Sequence, residues 1–477
     1  MDVFVDAASR GRTSASIYEQ LREAIVTGRL AQGDRLPTSR GLAAELGVAR
    51  TTITTVYGRL VAEGYVTGRG SAGSYVSYTG AAEPTTPAAS THLRPVDGVA
   101  TDIAAWSQGP FGTRAPRFDL RTGRPDPALF PHPTWRRALT DAASAPPDGY
   151  GHPAGLPAVR RTIAQWIGRS RGVVCDADQV LITAGAQQAI HLASRLLVRP
   201  GETVAIEDPG YPPVAALLES LGARVVPVPV DREGIVVEHV PFEARIVYVT
   251  PSHQSPTGVV MTMQRRRALL DLAAAQGMAV IEDDYDTEYR HGDRPLEPLH
   301  RLDARGSVLY VGTFSKTLSP SLRLGFVVLP AALVEAASAL RSLIDWQTPA
   351  VSQRALRLFI EAGHLDRHLR RTRRIYSERH AMVCARLDEL VDEGVLTAVV
   401  PSQAGLHVAA LLPPGRTEQQ VRDDAAASGV ALGHFGACHR STPGPEGIVV
   451  GFGATATEEL AEALDRLAVA IAGSPPR

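Results

Sequence analysis

The sequence is almost without lysine. All but one of its 49 lysine and arginine residues are arginine, and the exception is Lys316. A bias toward arginine codons would explain the scarcity, but it does not explain why arginine fails to serve at position 316. Arginine stays charged and cannot attack a carbonyl, whereas a desolvated lysine can lose its proton and do so. The single lysine is therefore a first indication of chemistry at that position.

Other features are also scarce or absent. The three cysteines, Cys175, Cys384 and Cys438, are scattered and lack metal-ligand spacing, which predicts neither a disulfide framework nor a metal site. The N-terminus lacks a basic segment followed by a long apolar core, and no apolar run is long enough for a membrane span. The net charge of −1 excludes a protein that is basic throughout. We expect a cytoplasmic chain with no membrane partner.

The length of 477 residues is too great for one compact domain, and the composition divides the chain into three segments. Residues 1–78 have the pattern of short helices followed by a hairpin. Residues 79–116 are rich in Ala, Pro, Thr and Ser without periodicity, which predicts a linker. In residues 117–477, short apolar runs such as 179–183 and 203–208 alternate with helical stretches. This alternation predicts an α/β fold around a mostly parallel sheet.

The first segment contains three predicted helices, because its apolar residues recur every three or four positions. The second and third helices are joined by a turn at Gly47, and the third leaves its first turn exposed. Helix-turn-helix geometry places such a turn in the major groove of DNA. A glycine-rich hairpin follows, as expected of a wing that contacts the DNA backbone. The apolar residues that mark the helices are Ile17, Leu21, Ile25, Leu42, Leu46, Ile53, Val56 and Leu60.

Charge alone does not decide the role of this segment. Nine arginines face seven acidic residues in 1–78, which leaves open both DNA binding and a small helical dimerisation or lid domain. The order of the motifs favours DNA binding. The run LPTSRGLAAELGVARTTITTVYGRLVAEGYVTGRGSAGSYV closely resembles the GntR-type winged-helix DNA-binding domain. By that resemblance, the residues that contact a double-stranded DNA operator are Arg40, Arg50, Thr51, Thr52, Gly70 and Ser71.

Four motifs accompany Lys316 in residues 117–477. IEDDYDTEY brings acidic residues to the end of a strand, where α/β folds bind ligands. ITAGAQQAI is a strand, a glycine turn and a helix start, which can present backbone amides to a phosphate. EDPGYPP and TPSHQSPTG are turns at the ends of two more strands. With Lys316 and a downstream arginine, these motifs supply the amine, carboxylate, anion donors and flat ring that pyridoxal 5′-phosphate (PLP) requires.

The order and spacing of these motifs resemble the fold-type I PLP enzymes, the aspartate aminotransferase family. The resemblance implies that Lys316 forms the internal aldimine and that Asp283 pairs with the ring nitrogen. It also implies that Tyr285 bonds the ring hydroxyl and that Tyr211 stacks on the ring face. The residues implied to hold the phosphate are Gly185, Ala186, Gln187, Thr313 and Arg323.

Two positions depart from the family pattern. The common Asn-Pro-x-Gly turn reads Ser255-Pro256-Thr257-Gly258, so Ser255 stands where the family's Asn contacts the ring hydroxyl. His253 or Gln254 could take over that contact. Aminotransferases also carry an arginine near the C-terminus that binds the substrate α-carboxylate, and its nearest counterpart here is Arg440.

A winged helix, a linker and an aminotransferase-like domain in one chain resemble the MocR family of transcriptional regulators over nearly all 477 residues. The resemblance implies a head-to-tail homodimer that controls transcription in response to PLP, with the catalytic site reused as a sensor. The poor match at the carboxylate arginine favours PLP itself as effector, and control of vitamin B6 synthesis as in PdxR-type members. One alternative is a member that senses a second small amine such as γ-aminobutyrate. Another is a working PLP-dependent aminotransferase with an appended DNA-binding or oligomerisation module.

Overall fold

The computed structural model describes residues 13–79, 116–146, 149–292, 297–441 and 444–473. The chain divides into two compact units, Met1–Pro95 and Val96–Arg477. The predicted linker falls almost entirely outside the described residues, so the domain bounds 1–78, 79–116 and 117–477 stay predictions.

The first unit is a winged helix. Its elements are α1 (Ser14–Val26), α2 (Ser39–Leu46), α3 (Arg50–Ala62) and an antiparallel hairpin of β1 (Val66–Gly68) and β2 (Ser74–Val76). Thr38 caps α2 by accepting a hydrogen bond from the Gly41 amide, and Gly47 ends α2 in the left-handed conformation. All eight apolar residues that predicted the helices are buried in one core. The predicted helices and wing are therefore confirmed.

The second unit is built on a mixed sheet of eight strands, as the alternating pattern predicted. Its first strand, β3 (Phe118–Leu120), lies outside this sheet. The order across the large sheet is β4-β11-β10-β9-β8-β5-β6-β7, and β11 runs antiparallel to both of its neighbours. The strands are β4 (Val180–Thr183), β5 (Thr203–Asp208), β6 (Arg224–Asp231), β7 (Gly234–Ile235), β8 (Ala244–Val249), β9 (Ala279–Asp284), β10 (Val308–Thr313) and β11 (Gly325–Val328).

Helices cover both faces of this sheet. Val204 and Ile206 of β5 pack into one apolar cluster, and Ala205 between them packs into another, because successive strand residues point to opposite faces. The helices before the last sheet are α4 (His132–Ala143), α5 (Pro157–Arg171), α6 (Ala186–Leu197), α7 (Pro212–Ser220), α8 (Met263–Gln276), α9 (Leu299–Leu302), α10 (Val334–Ile344), α11 (Ala350–Glu361) and α12 (His364–Asp392). Helices α6 and α7 contribute to the first cluster and α8 to the second.

The C-terminal part forms a smaller layer of its own. β12 (Ala398–Val399), β13 (His407–Leu411) and β15 (Gly447–Gly451) make a three-stranded antiparallel sheet. β14 (Val430–Leu432) pairs in parallel with β3, and α13 (Glu418–Ala427) and α14 (Thr457–Ala472) pack beside them. Across the described ranges, the helices are all too short or too polar to span a membrane.

The topology gathers polar residues at one edge of the large sheet. Strands β4, β5, β8, β9 and β10 run in the same direction, so their carboxyl ends meet at that edge. Asp283 at the end of β9 pairs in register with Val311 of β10, and Lys316 follows β10 by three residues. The Gly185 turn follows β4. The edge is where α/β sheets bind ligands.

Candidate functional site

Lys316 lies in the loop after β10 and reaches toward the start of the second unit. Its Nζ donates a hydrogen bond of 2.6 Å to the carbonyl of Gly123. Gly123 has φ +71°, and a methyl group on it would lie 2.7 Å from Nζ, so a larger residue would be strained there and would displace the amine. Burial lowers the Lys316 pKa, while the carboxylates of Asp286 and Asp283 oppose that shift. A lysine of this kind gains the neutral, nucleophilic form more readily than an exposed one.

Asp283 offers a buried acceptor that nothing within the described residues occupies. Its Oδ2 accepts a hydrogen bond of 2.7 Å from Tyr248 Oη, and its Oδ1 has no partner there. Burial raises the Asp283 pKa to about 7, because the charged form is poorly solvated. A cationic N–H group placed against Oδ1 would satisfy this atom and favour its ionised form.

The Gly185 turn and Arg323 together form an anion-binding corner. Gly185, with φ +100°, precedes the first residue of α6, so the amides that begin this helix point outward. Arg323, itself at φ +50°, donates through Nη2 to the Ala184 carbonyl and lies against Gly185. On the β10 side, Thr313 Oγ1 donates to Ser315 Oγ at 2.9 Å. The corner therefore combines a guanidinium, two hydroxyls and a helix N-terminus.

The other predicted phosphate residues are on the same helix. Ala186 is the first residue of α6, and the Gln187 side chain donates to the Pro213 carbonyl at 3.1 Å. That contact joins α6 to the turn that carries Tyr211. Burial raises the Tyr211 pKa to about 12, and the charges of Asp283 and Arg323 also act on the phenol. Tyr211 therefore lies near both the Asp283 carboxylate and the guanidinium of Arg323 in the anion-binding corner.

The turn that departs from the family pattern has an unambiguous arrangement. Tyr285 Oη lies 3.2 Å from His253 Nδ1 and is also hydrogen bonded to Ser255. The Gln254 amide is committed elsewhere: Nε2 donates to the carbonyls of Pro209 (2.7 Å) and Ser255 (2.8 Å), and Oε1 accepts from Thr257. Of the two substitutes considered for the family's asparagine, His253 is thus the one that contacts Tyr285.

Arg440 is paired away from the lysine. Its guanidinium forms an ion pair with Glu219 at the end of α7, and its amide donates 2.9 Å to Asp208 Oδ1. Ser441 also bonds the Asp208 carboxylate. These contacts anchor the loop at 440–441 to the turn after β5, and they occupy the side chain that sequence comparison offered for a substrate carboxylate.

Sequence reasoning missed three residues of this site. Gly123 accepts from Lys316, Tyr248 donates to Asp283, and His407 packs against His253 with ring centroids 4.3 Å apart and ring planes at 38°. Tyr248 was detectable as a hydroxyl in a buried apolar strand. Gly123 and His407 carry no local signal, since each is far from its partner in the chain.

The residues predicted to contact DNA lie on the surface of the first unit. Arg40 on α2 and Arg50 and Thr51 at the start of α3 are exposed, and Thr52 is half-buried. Gly70 and Ser71 are exposed in the turn that joins the two strands of the wing. Tyr57 Oη donates 2.9 Å to the Pro37 carbonyl and fixes α3 against the start of α2.

Two family models match the chain. Residues 13–76 match "Bacterial regulatory proteins, gntR family", and residues 118–467 match "Aminotransferase class I and II". The probable rhizopine catabolism regulatory protein MocR of Rhizobium meliloti is 33% identical, with 94% of this chain and 92% of that protein covered. This chain belongs to the MocR family of transcriptional regulators. The family and the fold class predicted from the sequence are therefore confirmed.

Two further similarities bear on this MocR-family chain. The pyridoxine biosynthesis transcriptional regulator PdxR of Corynebacterium glutamicum is 33% identical over 92% of this chain and 91% of its own. The kynurenine aminotransferase of Pyrococcus horikoshii, solved in complex with PMP, is 28% identical, with a TM-score of 0.69. That match covers 75% of this chain and 91% of the enzyme.

Proposed function

We propose that this regulator binds PLP at Lys316 and changes its affinity for a DNA operator in response. The observation that carries the proposal is that the buried Asp283 Oδ1, which has no hydrogen-bond partner among the described residues, belongs to the same sheet edge as the only lysine of the chain. The same chain also has a winged helix. The relative solved with PMP and the PdxR relative support this choice of ligand.

The described residues fit PLP group by group. Asp283 would pair with the protonated ring nitrogen, which its unpartnered Oδ1 suits. Arg323, Thr313 and the amides of Gly185, Ala186 and Gln187 would hold the phosphate, and Tyr211 would lie on the ring. Tyr285 and Ser255 would bond the ring hydroxyl. When bound, PLP supplies an aldehyde that an amine can attack and an electron-withdrawing ring.

The chain's own residues prepare this site. The Gly123 carbonyl orients the Lys316 amine, and burial makes its neutral form accessible. Tyr248 fixes the Asp283 carboxylate through Oδ2 and leaves the buried Oδ1 without a partner among the described residues. Gln254 holds the Ser255 turn in place through its three backbone contacts.

The DNA-binding unit would act on an operator as a homodimer in the cytoplasm. Arg50 would reach a base edge in the major groove, Thr51, Thr52 and Arg40 would contact the same groove or its phosphates, and Gly70 and Ser71 would contact the backbone. The dimer we propose is head-to-tail, and its two winged helices would bind two half-sites of the operator.

PLP alone is the effector that we favour, and vitamin B6 synthesis genes are the targets. The ion pair of Arg440 with Glu219 supports this choice, because it leaves that arginine already neutralised when a substrate carboxylate would need it. A second small amine such as γ-aminobutyrate is the alternative effector. A working aminotransferase is the alternative function, because the cofactor residues would serve catalysis equally well.

Selection of genomic fragments by the purified protein, with and without PLP, tests the proposal. We expect enrichment of few sites beside PLP synthesis genes, occupancy that changes with PLP, and negligible transamination. Enrichment beside genes of amine use would favour the second effector. Turnover of about 1–10³ s⁻¹ with any amino acid and keto acid, without PLP-dependent occupancy, would replace the proposal by the aminotransferase function.

A further inference from the structure

The solvent-facing side of helix α12 carries a row of arginines near its start. The buried residues that hold this part of the helix against the core recur every three or four positions, as one side of a helix requires. They are Leu365, His368, Leu369, Thr372 and Tyr376. The positions on the opposite side are exposed, and four of them form what we call the arginine stripe. It consists of Arg367, Arg370, Arg371 and Arg374.

The charge of this stretch is strongly positive. Residues 364–374 contain five arginines and one acidic residue, Asp366, in a chain whose net charge is −1. Burial lowers the pKa of His364, and the charges of Arg367 and of Arg137 on α4 lower it further. Arg137 is itself exposed. The positive potential therefore extends from α12 to α4.

The stripe lacks the acidic partners that other arginines of the same helix have. Arg379 forms a buried ion pair with Asp126 at 2.7 Å, and Arg386 lies within ion-pair distance of three carboxylates. Within the described residues, no arginine of the stripe forms an ion pair, and Arg370 and Arg374 have no hydrogen-bond partner either. Like charges three or four residues apart repel each other and destabilise a helix. An anionic partner would relieve this repulsion.

The length and chemistry of the stripe suit the phosphates of double-stranded DNA. From Arg367 to Arg374 the helix advances about 10 Å, which spans about three phosphates of one DNA strand. Guanidinium groups bind phosphate through paired N–H donors. The exposed side chains of residues 366–374 are all charged, so this surface offers no aromatic ring on which the bases of a single strand could stack. Its chemistry fits a DNA backbone rather than bases.

The inner side of α12 fixes the position of the stripe. His368 donates through Nε2 to the Thr317 carbonyl at 2.8 Å, and Arg373 donates through Nε to the Glu288 carbonyl at 2.6 Å. These contacts tie the first turns of the helix to the loops that follow β9 and β10. Because the helix is already held, few groups have to be ordered when an anion binds to its outer side.

We propose that the arginine stripe is a second DNA-binding surface, which contacts backbone phosphates of the DNA that the winged helix binds. Phosphate contacts carry no sequence information, so the stripe adds affinity and leaves the choice of operator to the winged helix. Because the two surfaces belong to one chain, DNA bound by one is presented to the other at a high effective concentration. This inference rests on the proposed function only for the identity of the operator.

Titrations of the full chain onto DNA over a range of salt concentrations test the stripe. The double variant Arg370→Gln/Arg374→Gln removes two guanidinium groups, and Arg371 is kept because it also donates to the Leu129 carbonyl. The slope of log affinity against log salt should become less steep by about 1.8, the loss of two phosphate contacts. At about 0.1 M salt the dissociation constant should rise on the order of 10- to 60-fold. Operator and random duplexes should lose the same factor.

Two control variants separate phosphate contact from a change in net charge or fold. Arg195→Gln/Arg199→Gln removes two exposed arginines, also four residues apart, at the end of α6, and should leave the slope unchanged. Arg370→Lys/Arg374→Lys keeps both charges and should keep the slope of the parent. Because Arg370 and Arg374 are exposed, thermal unfolding of the second unit should be the same in the parent and all three variants.

The outcomes separate the stripe from the proposed function. An equal slope change in both glutamine variants, or no change in either, would overturn the stripe as a DNA-binding surface, even if Arg50→Ala abolished the preference for the operator. A slope change confined to Arg370→Gln/Arg374→Gln would support the stripe, even if PLP left operator binding unchanged and the proposed function failed. Unchanged DNA titrations, together with binding of polyglutamate that is lost in Arg370→Gln/Arg374→Gln, would replace DNA by an acidic protein segment.

Discussion

Replacing Asp283 by asparagine should increase the free energy of unfolding of the PLP-free protein and lower its affinity for PLP. The carboxylate is buried, and its Oδ1 is unpartnered within the described part of the chain. Its pKa of about 7, against an ordinary 3.8, corresponds to about 4 kcal/mol of penalty for the ionised form. Asparagine has the same shape and can still accept from Tyr248, but it carries no charge.

The net gain is smaller than this penalty. The new amide would place an N–H₂ group where Oδ1 stood, and an unsatisfied buried donor costs about 1–3 kcal/mol. We therefore expect a gain of about 1–3 kcal/mol at pH 8. Because the pKa of Asp283 is raised from 3.8 to about 7 in the folded state, that state binds an extra proton between these two pH values, and the stability conferred by the neutral carboxyl is lost as pH rises through 7. The gain of the variant should accordingly vanish near pH 5.

For PLP the sign is reversed. In Asp283→Asn, an amide N–H donor would face the N–H donor of the ring. Removing one partner of a buried charged pair costs about 2–5 kcal/mol. The PLP dissociation constant should rise on the order of 30-fold to several thousand-fold. Urea unfolding of the second unit at pH 5 and pH 8, with PLP titration at pH 8, measures both effects. A variant that is less stable at pH 8, or that binds PLP like the parent, would refute the reasoning.

Further changes probe other parts of the molecule. Arg50→Ala should cost about 1–3 kcal/mol of specific operator affinity and relax one base preference, measured by binding to operator and random duplexes, whereas Arg29→Ala, outside α3, should not. Lys316→Arg keeps the charge but lacks a nucleophilic amine, so borohydride should no longer fix PLP to the protein, as peptide mapping would show. Gly123→Ala places a methyl group 2.7 Å from Lys316 Nζ at a positive φ, so PLP attachment followed by absorbance should slow while the winged helix is unaffected. Thr38→Ala removes the cap of α2 and should destabilise the first unit by about 1 kcal/mol in thermal unfolding.

Residues whose role is set by local pattern could be predicted from the sequence. Ile17, Ile53 and Val56 followed from helical spacing, and Asp283 from its place in an acidic run at the end of a strand, where α/β folds bind ligands. These signals depend on neighbours within a few positions. The family resemblance added the expected role of each residue.

Contacts that depend on the packed structure were out of reach. The Gly123 carbonyl meets Lys316 across 193 residues, and His253 meets Ser402 across 149. Gln254 was one of two candidates to replace the family's asparagine at the ring hydroxyl. Asparagine itself is absent from the whole sequence. Only the cluster of backbone contacts around its amide shows that Gln254 serves the turn and that His253 faces Tyr285. Such choices depend on which partner packing brings within hydrogen-bond distance.

The most direct test of PLP-responsive DNA binding is one set of four operator titrations. The parent and Lys316→Arg are each titrated onto the selected operator, with and without PLP, at one salt concentration because phosphate contacts make affinity salt-dependent. We predict that PLP changes the operator dissociation constant of the parent and changes that of Lys316→Arg much less or not at all. Four identical curves would contradict PLP sensing, even if PLP were shown to attach to Lys316.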